Sequence, residues 1–380
     1  MSSIKLDAIT RVNIHYALIA FAQGAGGIFF LIFMLKAGVS VPLALLFQAG
    51  IVAGRFFLRP RLLPLAVRWG VKPLLIVGTL LAAVDYPLLA LVKGPDPYLM
   101  FLGAWSSLGY LLYWVSFHAY FAALGEAEDR GGQIGLREAI VALVGIVAPL
   151  LGAWGLTTVG PTSTFWAVGL VQALAIIPLI GAPNILVPGS VPAGATPAWA
   201  SLGLMVADGM FAATYYYVWL IALFVALGES YSAFGGAAAL AALVGAASGL
   251  ALGRYVDLGH GRRSAVIAYS AAAIVVILRA ASLDLPWLAV IGNAAGSLLV
   301  TLITPVLMTP VYNLAKASPC VFRFHMATEG AWDVGCFIGC VAAAGLAALG
   351  LPLGAPLLLA LVPGLMLVVQ LWRYYGRGPG

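Results

Sequence analysis

Long apolar runs alternate with short polar segments along the whole chain, and this alternation predicts membrane-spanning helices. A helix needs about 20 apolar residues to cross a bilayer, and twelve segments meet that requirement. The segments between them are short and rich in Gly and Pro, which is typical of turns. The predicted spans cover residues 14–36, 40–58, 73–93, 98–124, 133–156, 162–183, 199–227, 231–253, 264–283, 286–314, 325–349 and 354–374.

The composition supports a membrane protein. Of 380 residues, 63% are hydrophobic and only 8% are charged, whereas soluble domains carry roughly 25% charged residues. So much apolar surface requires lipid as its solvent, and we expect no soluble domain of useful size. The N-terminal segment MSSIKLDAITRVN has no cleavable signal pattern. The sequence therefore predicts an all-α membrane protein.

The basic residues indicate the orientation of the chain. With twelve spans, sixteen of the 19 Lys and Arg residues fall on the side that holds both termini. Cytoplasmic loops carry this excess, so we expect cytoplasmic termini and a multi-pass protein of a bacterial inner membrane. The net charge of +6 then reflects orientation in the lipid bilayer and not nucleic-acid binding. The three exceptions are Lys36, Lys93 and Arg279, and Arg279 is expected to reach the interface by extending its side chain.

The chain divides into two halves of six helices. The segment 185–198 is uncharged and proline-rich, which predicts a short cytoplasmic connector between a bundle at 1–184 and a bundle at 199–380. The halves show weak symmetry, because a basic loop is predicted after the second span and another after the eighth. Repeated six-helix halves are a known transporter plan, with the substrate site near the midplane between them.

At these two loops the chain resembles the major facilitator superfamily (MFS). Its signature, Gly-x-x-x-Asp-Arg-x-Gly-Arg-Lys/Arg, is similar to GRYVD at 253–257 followed by GRR at 261–263, with one extra residue. The first half keeps only RWGVK at 68–72, and Val67 takes the acidic position. The resemblance implies two pseudo-symmetric six-helix bundles. The residues expected to gate the path are Arg137, Glu138, Arg254, Asp257, Arg262 and Arg263.

A second motif of the superfamily bears on the direction of transport. Exporters often carry Gly-Pro-x-x-Gly-Gly on the fifth span, and this chain has APLLGA at 148–153, with alanine in place of both outer glycines. The resemblance favours proton-coupled export. Small residues there also predict a close approach of spans 5 and 8.

Polar residues on the predicted cavity-lining spans are the candidates for substrate and proton binding. His118 follows Tyr113 and Trp114 on one face of span 4, where a histidine can accept a proton or hydrogen-bond to a neighbouring helix. Asp208 lies near the midplane of span 7 and can exchange a proton, or it can pair structurally with Gln23. The full set expected to bind substrate or protons is Gln23, Tyr113, Trp114, His118, Asp208, Tyr215, Asn293, Glu329 and Asp333.

Span 11 carries a stripe of ionisable residues. His325, Glu329 and Asp333 are spaced by four and share a helix face. The stripe is compatible with a proton relay or cation site, with a salt network to Arg323 or Arg137, or with a transition-metal site at His325 and Cys336. The three cysteines do not form a secreted disulfide framework.

Together these features predict a secondary active transporter that moves a small, partly apolar organic solute by alternating access. We expect proton coupling, export as the favoured direction, a monomer, and no cofactor. The alternatives are a copper-like transition-metal carrier or a lysolipid carrier of the same fold, and a non-transporting membrane sensor or assembly factor. The chain has no Gly-x-x-x-x-Gly-Lys and no His-Glu-x-x-His, so we do not expect an enzyme.

Overall fold

The structure is a computed structural model that describes residues 8–124, 130–191, 199–256 and 261–376. The side chains of 130–140, 248–256 and Thr301 lie outside what it describes. Helices account for nearly all of the described chain. They are α1 (Ala8–Lys36), α2 (Val41–Trp69), α3 (Val71–Leu89), α4 (Tyr98–Leu124), α5 (Arg130–Trp154, prolonged by a π-helical turn Gly155–Val159), α6 (Pro161–Ile180), α7 (Trp199–Ala226), α8 (Tyr231–Val256), α9 (Gly261–Ala281), α10 (Pro286–Ala317), α11 (Val321–Ala348) and α12 (Gly354–Tyr375).

Eleven of these helices are individually long and apolar enough to cross a membrane, within the part of the chain that the structure describes. The remaining helix, α8, contributes a shorter apolar stretch, Tyr231–Ala247. An even number of crossings places Ala8 and Tyr375 on one side, here called the terminal face. The other side is called the opposite face. The expectation of twelve membrane helices is confirmed.

One predicted loop is helical instead. The basic segment after the second span continues α2 to Trp69 through a single 3-10 turn at Arg59–Arg61. Leu62 and Ala66 are buried on one side of this extension, so its apolar face has a packing partner. The helix ends at Gly70, whose φ of 82° is favourable for glycine.

The first six and last six helices pack in the same pattern. In the first group α1 contacts α5 and α6, and α3 contacts α4 and α6; in the second, α7 contacts α11 and α12, and α9 contacts α10 and α12. The groups meet where α2 packs on α11 and α5 packs on α8. The exact division of the chain at 185–198 remains a prediction.

Small residues allow the closest helix contacts. On α7 and α11, a Cβ added to Gly209 or Gly335 would collide with the backbone of the facing helix. On α8, a Cβ at Gly235 would collide with Pro149 and Ala153 of α5. Backbone approach at small residues is a common source of packing energy between membrane helices.

Aromatic side chains close the two halves against each other near the opposite face. Phe29 of α1 packs edge-on against Phe234 of α8 at a ring separation of 5.5 Å and against Tyr231 at 6.1 Å. Phe224 of α7 joins the same cluster. An apolar seal therefore lies on this side of the molecule, and any central cavity must lie deeper toward the terminal face.

Candidate functional site

A cavity lies between the two halves, below the aromatic seal. It offers about 210 Å³ to water-sized molecules. Four helices, α1, α2, α4 and α7, contribute its walls. The lining residues are Gln23, Gly27, Phe30, Leu31, Gln48, Ile51, Arg55, Tyr110, Trp114, Tyr216, Tyr217 and Leu220.

The wall of this cavity is almost entirely neutral and rich in aromatic side chains. Gln23 and Gln48 supply amide groups on the α1 and α2 sides. Among the described lining residues, Arg55 is the single charged one. Such a wall suits a solute with an apolar body and a few polar groups.

Arg55 also belongs to an ion-pair network that joins the halves. Its Nη2 lies 3.2 Å from Glu329 Oε2 and 3.1 Å from Asp333 Oδ1. Arg59 donates from Nη2 to Asp333 Oδ2 and from Nη1 to the carbonyl oxygen of Met326, at 3.2 Å for the latter. Both arginines are on α2 and both acids are on α11, so the network links one half to the other.

Histidines extend the network toward α4. His118 Nε2 lies 3.6 Å from Glu329 Oε1. The His118 ring stacks on Trp114 at 5.7 Å and on His325 at 5.8 Å. His325 is only 2% exposed, and its Nε2 has no hydrogen-bond partner in the structure. Two imidazole rings from opposite halves therefore meet beside an acid.

Trp332 connects the network to Asp208. The guanidinium carbon of Arg55 lies 5.7 Å from the centre of the Trp332 ring, and the indole Nε1 donates to Asp208 Oδ2 at 2.9 Å. Asp208 thus has a partner on α11 of its own half. Gln23, the partner considered from the sequence, lines the cavity on α1 instead.

A π-helical turn at Ala213–Val218 decides which tyrosines of α7 reach the cavity. Tyr216 and Tyr217 line it. Tyr215 points into the second half, where its hydroxyl donates to the carbonyl of Gly296 at 3.4 Å and its ring lies under Arg279. The sequence placed Tyr215 in the cavity, and the altered helix period moves that role to its neighbours.

Other expected binding residues lie away from the cavity. Tyr113 is buried within the first half, stacked on Phe117 at 5.7 Å and next to His15. Asn293 accepts a hydrogen bond from Trp219 Nε1 and donates to the carbonyl of Ala237, each at 3.0 Å. Neighbouring helices therefore engage the Asn293 amide, and the Tyr113 ring packs on its own helix and on His15 of α1.

Of the residues expected to gate the path, the structure describes the side chains of Arg262 and Arg263. Arg262 donates to the carbonyl of Trp372 at 3.0 Å and lies over its ring, so both partners belong to the second half. Arg263 is exposed. Asp257 lies outside the described residues, and the side chains of Arg137, Glu138 and Arg254 lie outside what the structure describes.

Arg55 and Arg59 are the functional candidates that the sequence interpretation missed. They lie at the end of the predicted second span and at the start of the basic loop after it, and Arg323 or Arg137 was considered as the partner of the α11 acids. Arg323 donates instead to the carbonyl of Gly189 at 2.8 Å. The signal available in the sequence was the i, i+4 spacing of the two arginines, which matches the spacing of Glu329 and Asp333.

Metal ligands do not converge in the described part of the molecule. No group of three or more His, Cys, Asp and Glu side chains there can hold a metal ion. His325 packs against His118, whereas Cys336 lies against Cys340 with the sulfurs 4.0 Å apart. The two residues of the hypothetical metal site, His325 and Cys336, therefore lie in separate clusters.

Several solved transporter structures share this fold. A bacterial homologue of the iron transporter ferroportin, in an inward-facing state, superposes with a TM-score of 0.69 at 12% identity, over 97% of this chain and 99% of that one. An autoinhibited POT family peptide transporter gives 0.64 at 12% over 98% and 97%. A POT family transporter in complex with 5-aminolevulinic acid gives 0.68 at 11% over 95% of each chain.

The family assignment comes from the sequence comparison. No curated protein matches the chain. A family model, described as Major Facilitator Superfamily, matches residues 12–319, which is most of the chain. With two matching groups of six helices around a central cavity, this match shows that the chain belongs to the major facilitator superfamily of membrane transporters.

Proposed function

We propose that the protein is a secondary active transporter that moves a small, partly apolar organic solute by alternating access. The observation that carries this proposal is a cavity between two matching helical groups, with an aromatic seal on one side and a buried ion-pair network on the other. Opening one closure while the other holds gives the cavity access to one face at a time. The proposed setting is a bacterial inner membrane with cytoplasmic termini.

The cavity wall favours an organic solute over a metal ion. Five aromatic side chains, Phe30, Tyr110, Trp114, Tyr216 and Tyr217, line it. The structural relatives named above transport or bind different solutes, and at 11–12% identity they inform only on fold. The direction favoured by the 148–153 segment is export.

We assign proton coupling to the acids around Trp332. Asp208, Glu329 and Asp333 lie on the helices that pack together in the second half, and His118 adjoins Glu329. Ionisable groups inside a transmembrane bundle commonly mark proton paths. A carboxyl that alternates between protonated and ionised states can couple a proton gradient to the opening of each face.

Transport in proteoliposomes tests the proposal. Protein reconstituted with an imposed pH gradient should accumulate at least one solute from a panel of neutral, anionic and cationic aromatic compounds. Gln48→Trp, which fills the cavity, should abolish accumulation. Leu46→Trp, on the outward side of the same helix, should not. Absence of uptake for the whole panel, or equal activity of both variants, contradicts transport through this cavity.

Asp208→Asn tests the coupling. It mimics a permanently protonated carboxyl and should leave solute exchange intact while abolishing gradient-driven accumulation. A purely structural aspartate behaves differently, because its loss lowers thermal stability and impairs both activities together. Retained accumulation would move the coupling role to Glu329 or His118.

A further inference from the structure

We infer that the transported solute is an organic carboxylate, and that Arg55 binds its anionic group. The inference rests on the proposed transport function and specifies its substrate class. It rests on the position of Arg55 in the cavity wall and on which atoms of its guanidinium already have partners.

Arg55 combines a place in the cavity wall with a buried hydrogen-bond donor that has no partner. The side chain lines the cavity and is 6% exposed. Its Nη2 carries both contacts to the α11 acids, while its buried Nε has no hydrogen-bond partner. A buried donor without a partner costs free energy that a ligand oxygen can recover.

The order of charges along the path favours an anion over a cation. A solute in the cavity meets the guanidinium of Arg55, whereas Glu329 and Asp333 are not among the residues that line the wall. The acids lie behind the arginine and are already paired with it. A cationic solute would be repelled by Arg55 and would not reach the carboxylates of Glu329 and Asp333.

The remaining wall fits the body of such a solute. Tyr110, Trp114, Tyr216 and Tyr217 provide apolar and aromatic surface, and Gln23 provides an amide. An aromatic or other partly apolar body with one carboxylate satisfies both ends of the site. Planar guanidinium groups bind carboxylates through two parallel hydrogen bonds.

Binding of a carboxylate at this fork competes with the contact between the halves. The two donors on the Nε side of a guanidinium are Nε and Nη2, and Nη2 is the atom that holds Glu329 and Asp333. A solute that takes both donors weakens the link from α2 to α11. Glu329 retains His118 as a neighbour, at 3.6 Å. The substrate anion thereby loosens the closure of the terminal face.

Matched ligand pairs test the substrate class. The melting temperature of the purified protein is measured with three carboxylates, 3-phenylpropionate, indole-3-acetate and 4-hydroxybenzoate, with their neutral amides, and with the cation phenethylammonium. At least one carboxylate should raise the melting temperature, whereas its amide and the cation should not, because binding to the folded state raises stability. Stabilisation by amides or by the cation alone, or by no member of the panel, overturns the inference.

Variants of Arg55 test the residue. Arg55→Gln should weaken the affinity for the stabilising carboxylate by about 10- to 100-fold, the range of a lost hydrogen bond to a charged group. Arg55→Lys, which keeps the charge without the fork, should weaken it less. The double variant Arg55→Gln/Asp333→Asn keeps the local charge balanced if the single variant is unstable. Arg61→Gln, exposed on the same helix, is the control.

The outcome separates this inference from the transport proposal. If the protein takes up a neutral or cationic solute and Arg55→Gln does not affect this uptake, the transport proposal is supported and the carboxylate assignment is contradicted. Carboxylate binding that persists unchanged in Arg55→Gln also removes Arg55 as the anchor.

Discussion

The guanidinium of Arg279 donates a hydrogen bond from Nη1 to the carbonyl oxygen of Tyr215 at 3.0 Å. This carbonyl belongs to the π-helical turn of α7, where the regular hydrogen-bond ladder is interrupted. The same group donates from Nε to the carbonyl of Gly292 at 3.1 Å and lies 4.4 and 4.5 Å from the ring centres of Tyr215 and Trp219. Among the described side chains, no carboxylate forms an ion pair with it. Backbone carbonyls and aromatic faces therefore hold a buried charge that the sequence placed at the membrane interface.

Replacing Arg279 by Met should lower the stability of the folded protein by about 1–3 kcal/mol, because two buried carbonyl oxygens lose their donor. The measurement is thermal unfolding of the purified protein, followed by tryptophan fluorescence. Arg263→Met on the same helix is the matched control and should have no effect, since Arg263 is exposed. Equal melting temperatures for the two variants would remove Arg279 as the support of the turn.

The helices could be predicted from the sequence because membrane spans are a one-dimensional signal. A run of about 20 apolar residues is sufficient evidence for a span, and α4 lies within the bounds expected for it, 98–124. The second helix continues to Trp69, past the expected end of the second span at residue 58, where the basic residues predicted a loop. Arginine can remain in a membrane helix when a partner neutralises it, and that partner lies 274 residues away in the sequence.

The site was harder to predict because its contacts join residues that are far apart in the sequence. Trp114 follows from helix periodicity and Gln23 from its depth in the first span, and both line the cavity. Tyr216 and Tyr217, and not Tyr215, line the cavity because of a π-helical turn. A helix period of 3.6 residues does not predict such a turn. The pairing of Glu329 with Arg55 depends on how two distant helices meet, which no local pattern encodes.

Close packing of α7 on α11 should depend on Gly335. A Cβ at this position would press on the backbone of Val206 and Met210, and backbone cannot move aside as a flexible side chain can. Gly335→Ala should therefore destabilise the protein by about 1–3 kcal/mol, the usual cost of overpacking. Gly345→Ala, on the same helix with open space around it, is the control and should melt like the unchanged protein.

Cysteine labelling in intact cells checks the orientation of the helices. Single cysteines at Asp96 and Asp284, in exposed loops of the opposite face, should react with a membrane-impermeant maleimide. Cysteines at Arg68 and Lys316, exposed on the terminal face, should react only after the membrane is opened. The native cysteines are buried, which keeps the background low. Labelling of Lys316→Cys from outside would reverse the proposed topology.

Loss of Asp333 should open the terminal face. Asp333 pairs with both Arg55 and Arg59 across the halves, and these contacts exist only while α2 and α11 remain together. Removing one member of a buried charge network costs about 3–5 kcal/mol because the remaining charges lose compensation. Asp333→Asn imposes that cost on the closed arrangement alone, so the population should shift toward the open arrangement by at least about tenfold.

The measurement is the distance between spin labels at Arg61 and Lys316, which are exposed on different halves at the terminal face. Asp333→Asn should move the distance distribution to longer values. Glu229→Gln is the control, because it breaks an ion pair with Lys36 whose side chains are 54% and 42% exposed, and exposed pairs contribute about 0–1 kcal/mol. An unchanged distribution in Asp333→Asn, or the same shift in both variants, would show that the α2–α11 ion pairs do not hold the terminal face closed.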